Sequence, residues 1–136
     1  MKQNLPLLLL LATASVSVTA KPITLKASKT GDKIHVLGED TESPLVVQVA
    51  EADMRPYLHP IKAPDGKGTL TQYSPGHHRH QTGLYWGFTR VNGRDYFHHP
   101  KDNYWKRNAL EILQAEGTKV RWRTTYELLD AKGDPI

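Results

Sequence analysis

The 136-residue chain contains no cysteine. That excludes disulfides, thiolate metal sites and cysteine nucleophiles. Long apolar runs are scarce as well. The best one, residues 5–14, is interrupted by Pro6 and Thr13, and a membrane span needs roughly 20 apolar residues. No span is therefore expected in the mature chain. No serine sits in a Gly-x-Ser-x-Gly elbow, and neither a phosphate loop nor a dinucleotide fingerprint occurs. Basic residues form no stripe, which argues against a nucleic-acid partner. Asp95 and Asp102 do not form a recognisable glycosidase acid pair and read as surface-turn residues.

What is present begins with a leader. Lys2 precedes the apolar run, and Val18-Thr19-Ala20 supplies small residues where a signal peptidase cuts. Residues 1–20 are read as a signal peptide cleaved before Lys21, leaving 21–136 as one β-rich domain. An exported protein without disulfides suits a bacterial periplasm or cell surface. The formal charge is +4. Its excess falls in residues 77–136, which biases the partner toward anionic or polyhydroxylated molecules.

The mature chain alternates short apolar runs with turn residues. Residues 23–27 and 33–37 read as strands joined at Gly31-Asp32. Residues 45–49 form a β-branched run. Residues 53–60 are extended, but Pro56 and Pro60 exclude a central strand. Pro64-Asp65-Gly66 is a turn. Residues 83–91 read as a buried strand, with Trp86 and Phe88 on one face, and Asn92-Gly93 as a two-residue hairpin turn. Val120, Trp122, Thr124, Tyr126 and Leu128 alternate with polar residues, the period of a half-buried strand. Residues 109–115 fit one helical turn or a strand, and hairpin context favours strand. The expected class is all-β: an antiparallel β-sandwich of two packed sheets. Lys132-Gly133-Asp134-Pro135 is a turn after which Ile136 begins another strand. The sandwich is thus expected to be incomplete, a truncated one, or to take strand pairing from another chain at its open edge.

Residues 77–105 concentrate five of the seven histidines and seven of the eleven aromatics. Histidine titrates near neutrality and ligates metals, and aromatic faces suit sugar rings. In an extended chain His78 and His80 point to the same side and could chelate Zn²⁺, Fe²⁺ or Cu²⁺. A third ligand would come from His59, His98, His99 or Asp95. A second reading needs no metal. His59, His78, His80 and Arg79 would hydrogen-bond a sugar, Trp86 or Trp105 would stack on it, Asn92 and His98 would line the pocket mouth, and a histidine would serve as acid or base.

Three motifs in order are similar to a known family: Arg55-Pro56-Tyr57-Leu58-His59-Pro60, then the stretch from His77-His78-Arg79-His80 to Trp86-Gly87, then Val91-Asn92-Gly93-Arg94-Asp95-Tyr96-Phe97. Together they resemble the PmoA-like family of exported bacterial proteins, over residues 45–136. The resemblance implies a β-rich sandwich longer than this chain, so that the domain would lack its C-terminal part. It maps the family's histidine motif onto His77, His78 and His80, and its Pro-Tyr-Leu-His-Pro motif onto His59. The leading expectation is an exported protein that binds or modifies carbohydrate, or another small polar ligand, with His59, His78, His80 and Trp86 nearest to it and no cofactor required. One alternative is a metal-dependent oxidoreductase, as the family's "methane oxygenase" description implies, with His78 and His80 as ligands of a divalent metal. The other is a non-catalytic interaction module.

Overall fold

The computed structural model describes residues 22–63 and 66–136. The leader expected at 1–20 and the Pro64-Asp65 part of the expected turn lie outside the described residues. The described residues form seven strands: β1 Leu25–Thr30, β2 Lys33–Gly38, β3 Val46–Val49, β4 Tyr57–Ile61, β5 Trp105–Gln114, β6 Glu116–Gly117 and β7 Arg121–Leu128. They build two open antiparallel sheets, one in the order β4-β3-β2-β1-β6 and one of β5 and β7. No helix among the described residues is long and apolar enough to cross a membrane.

The expected β1–β2 and β5–β7 pairings form. Thr30 pairs with Lys33 around Gly31, whose φ is 56°. This is a left-handed conformation that glycine adopts without a Cβ penalty. β4 carries Pro60 and lies at a sheet edge, where the missing N–H breaks no ladder. The ambiguous stretch at 109–115 is strand: β5 pairs along β7 from Trp105↔Leu128 to Gln114↔Arg121.

Pleating sorts the first sheet's side chains into two sets. Ile34 pairs with Gln48 and Val36 with Val46, so these four share a face. On that face Ala27, Ile34, Val36 and Ala50 pack with Leu110, against Ile112, Trp122 and Tyr126 of the second sheet. This is the sandwich core. Val47 and Val49 point the other way and pack with Met54, Tyr57 and Tyr85. Polar ties fasten the sheets at their rims: Tyr126 donates to the Glu51 carbonyl at 2.6 Å, and Arg107 reaches Asp32 at 2.7 Å.

Two expectations are corrected. Residues 85–90 form no strand. Trp86 is 82% exposed and Phe88 43%, because the backbone leaves the extended region at Gly83 (φ 98°) and Arg90 (φ 58°). Ile136 does not begin an unpaired strand. Leu129 bridges Pro135, and the Ile136 N–H donates to the Leu128 carbonyl at 3.0 Å, so the final turn folds back on β7.

Candidate functional site

Two stretches without regular ladders, 71–100 and the approach to β4, are held together by Arg55. Its side chain is fully buried. The guanidinium donates to the carbonyls of Phe97 and His80, the latter at 2.7 Å, and to Thr82 Oγ1 at 3.4 Å. Its carbon lies 3.4 Å from the Tyr85 ring centroid, and its own N–H donates to the Pro100 carbonyl at 2.8 Å. Burial lowers the arginine's pKa, opposed by Tyr85, yet a guanidinium stays protonated in proteins. A buried cation thus takes carbonyl dipoles and an aromatic face in place of water.

Tyr85 is held on its other neighbours too. Leu84 and Leu58 exchange both main-chain bonds, at 2.8 and 3.1 Å, which lays residues 83–86 along the edge of β4. Beside them opens a cleft of about 350 Å³. Tyr57, Tyr85, Trp86 and Trp122 supply aromatic walls, Pro56, Leu58 and Leu84 apolar ones. Gln48 and Thr124 are the polar side chains among the lining residues besides the two phenols, and no lining residue is charged. Burial, with Tyr73 next to it, pushes the Tyr57 phenol well above its ordinary range, so it stays neutral. A mostly apolar hollow with a few fixed polar groups is the usual form of a small-ligand site, and the volume falls near the lower end of their range.

A second cluster lies beyond Phe97, whose ring centroid is 5.7 Å from that of Tyr85. His77 and His78 meet at 4.8 Å, His78 and His80 at 5.8 Å, and His80 and His98 at 4.8 Å. Asp95 orients His98 through a 2.7 Å bond to Nδ1 and also accepts the Phe97 and His98 N–H groups. The His98 side-chain bond is the main reason that the Asp95 carboxyl is lowered from 3.8 to about 2. His80 is shifted down, by desolvation first and then by His98, His78 and Arg55, with Asp95 opposing. A depressed carboxylate favours the fold above its unfolded pKa and loses that contribution as pH falls through the folded one. The Asp95 contribution is therefore lost between 3.8 and about 2. Replacing His98 with alanine is expected to bring the Asp95 titration part of the way back toward 3.8, because the Phe97 N–H remains. Carbon-13 NMR of the carboxyl measures this, and an Asp95 pKa unmoved from about 2 would contradict the assignment.

A model of DUF6807, described as a family of unknown function, matches residues 44–136. The chain belongs to the DUF6807 family. No curated protein and no solved structure matches it. The DUF6807 segment starts just before β3 and contains every residue lining the cleft and every member of the histidine cluster.

Within this DUF6807 segment the predicted residues separate. His78, His80 and His98 come together, but none of them lines the cleft, where Trp86 is the predicted residue present. His59 is corrected. It lies on β4 with Nδ1 on Thr71 Oγ1 at 2.9 Å and its ring 5.8 Å from Tyr73, and it is not among the residues that line the cleft. Trp105 is corrected from ligand contact to core. It is 4% exposed, its indole donates to the His99 carbonyl, and its ring meets Tyr96 and Tyr126 edge-on. Asn92 occupies the hairpin turn at φ 47° and lines a different hollow with Arg94, Tyr104 and Asp130. Arg79 is exposed, and the bond made there is its carbonyl's, from Ser74.

The metal assignment to His78 and His80 does not fit either. Among the described residues no three His, Asp or Glu side chains converge as a metal site requires, and Asp95 is already engaged by His98 and two main-chain N–H groups. Gln48, Tyr57, Trp122, Thr124 and Arg55 were not anticipated. A signal for two of them is visible: Gln48 interrupts a β-branched run, and Thr124 occupies an inward position of an alternating strand.

Proposed function

We propose that this chain is an exported carbohydrate-binding protein whose ligand lies in the aromatic cleft. The observation that carries the reading is Trp86, a large indole 82% exposed at a hollow walled by three further aromatic rings. An exposed indole loses water-contacting area when an apolar ring face covers it, and the C–H face of a pyranose has that character. The export part of the reading rests on Lys2, the apolar run and Val18-Thr19-Ala20, and places the protein in the periplasm or at the cell surface.

Glycans at a hundredfold excess over Kd are expected to stabilise the wild type by roughly 2.7 kcal/mol, read as a rise in melting temperature. Trp86→Ala is expected to abolish that rise while leaving the ligand-free melting temperature unchanged, because the indole is exposed. A broad panel of mono- and oligosaccharides that shifts neither protein would overturn the reading. Metal-dependent oxidation, the activity implied by the PmoA-like resemblance, is not the reading taken, since the histidines present no convergent ligand set. No proton-transfer step is assigned to the Asp95–His98 pair, because neither residue lines the cleft.

A further inference from the structure

We propose that Gln48 is the specificity-determining residue of the cleft, and that the ligand is an uncharged pyranose that donates a hydroxyl proton to its side-chain oxygen. This rests on the carbohydrate reading of the same cleft.

Gln48 occupies the face of β3 that looks into the sandwich, in register with Ile34 on one side and Leu58 on the other. A polar amide there must find partners, since burying one without hydrogen bonds is costly. It finds them on the protein side only. Both Nε2 protons are used, on the Val49 and Tyr57 carbonyls, each at 3.0 Å. Those two bonds fix the amide's orientation, so which end is oxygen is set by the backbone. Oε1 is not among the buried side-chain atoms that lack a partner, and no bond to it occurs among the described residues. It is thus a solvent-reachable acceptor on a residue that lines the cleft.

An acceptor held this way selects by sign. It pairs with a hydroxyl or N–H donor, and it cannot pair with a carboxylate. The other lining residues add no cation to reverse that preference: they are aromatic, aliphatic, proline or threonine. Arg55, the buried cation against Tyr85, has its charge engaged by the carbonyls of Phe97 and His80 and by the Tyr85 ring. Sites built to hydrogen-bond a ligand hydroxyl reject analogues that lack it far more strongly than apolar pockets reject an extra methylene. The cleft therefore discriminates at the hydroxyl, and Trp86 supplies affinity without telling one pyranose from another.

The test uses the wild-type protein and changes the ligand, because substitutions at Gln48 also release two backbone carbonyls. Methyl glucoside and methyl galactoside are titrated by calorimetry beside the matching glucuronide and galacturonide, and then beside deoxyfluoro analogues at each ring position. The better neutral sugar is expected to bind at least tenfold more tightly than its uronic acid, and one fluorine replacement, which can accept but not donate, to lose about tenfold. Gln48→Met, checked for a retained fold by circular dichroism, is expected to erase that position-specific loss. Uronic acids binding as tightly as neutral sugars, or fluorine tolerated at every position, would overturn the role of Gln48 while Trp86-dependent binding left the carbohydrate reading in place. If no sugar of either kind binds, the carbohydrate reading falls and takes this inference with it.

Discussion

Replacing Arg55 with methionine is expected to cost about 3–5 kcal/mol of folding stability. Each hydrogen bond from a charged donor contributes about 1.5–3 kcal/mol, and Arg55 makes two to carbonyls, of Phe97 and His80. Relief of the cation's own desolvation offsets part of the sum; its Nε has no partner among the described residues. Against a typical total of about 5–15 kcal/mol, the remainder is large. Arg55→Lys should not rescue it. A single ammonium lacks the planar fork that reaches two carbonyls while stacking on Tyr85. Urea denaturation measures the loss, and limited proteolysis locates it, with cleavage expected first within residues 77–98. A variant as stable as the wild type and equally resistant would show that the loops hold without the guanidinium.

The same arginine shows where a sequence stops being readable. An isolated Arg before a proline reads as a solvated side chain, and nothing local reports that the carbonyls it needs come from residues 80 and 97. The sheets were readable because their signals are local. Gly31-Asp32 marks the β1–β2 turn, and the alternation from Val120 to Leu128 predicts β7 and its inward face, including Trp122. For 109–115 the neighbouring hairpin turn favours strand over helix, and β5 pairs with β7 accordingly. The buried strand expected over residues 83–91 does not form, for a physical reason. An apolar, aromatic run has the same pattern whether it fills a core or walls a cleft. The outcome here is set by left-handed backbone at Gly83 and Arg90 and by the Phe97 ring lying where a side chain on Gly87 would go. Trp86 and Trp105 are likewise the same residue type with opposite fates. The ladder partner decides: Trp105 pairs with Leu128 and is carried into the core, whereas Trp86 has no ladder at all. The histidine cluster was half legible. His77, His78 and His80 are neighbours in the chain, and His98 joins them through the packing of Phe97. His59 belongs to a strand that turns it toward Thr71.

Gly83→Ala is expected to remove the cleft itself. At φ 98° an L-residue is strained, which costs about 1–3 kcal/mol. The added methyl would also run into the Leu58 carbonyl oxygen and come within 2.9 Å of the His59 Cβ. Neither obstacle is a flexible side-chain end. Leu58 is fixed by the two main-chain bonds it exchanges with Leu84, so relief requires the 83–86 segment to lift off β4. Overpacking of this kind adds about 1–3 kcal/mol, for a total near 2–6 kcal/mol. The functional loss should exceed the stability loss, because Leu84, Tyr85 and Trp86 are the wall that moves. Gly93→Ala is the control. Its φ of 81° is also left-handed, but nothing lies within 4 Å of the new methyl, so only the backbone strain of about 1–2 kcal/mol remains and ligand binding is retained. Urea denaturation and sugar titration of both variants separate the two effects. Equal stabilities, with binding intact in Gly83→Ala, would mean that the wall is not held by its contact with β4 and that the cleft owes its shape to Arg55 and Tyr85 alone.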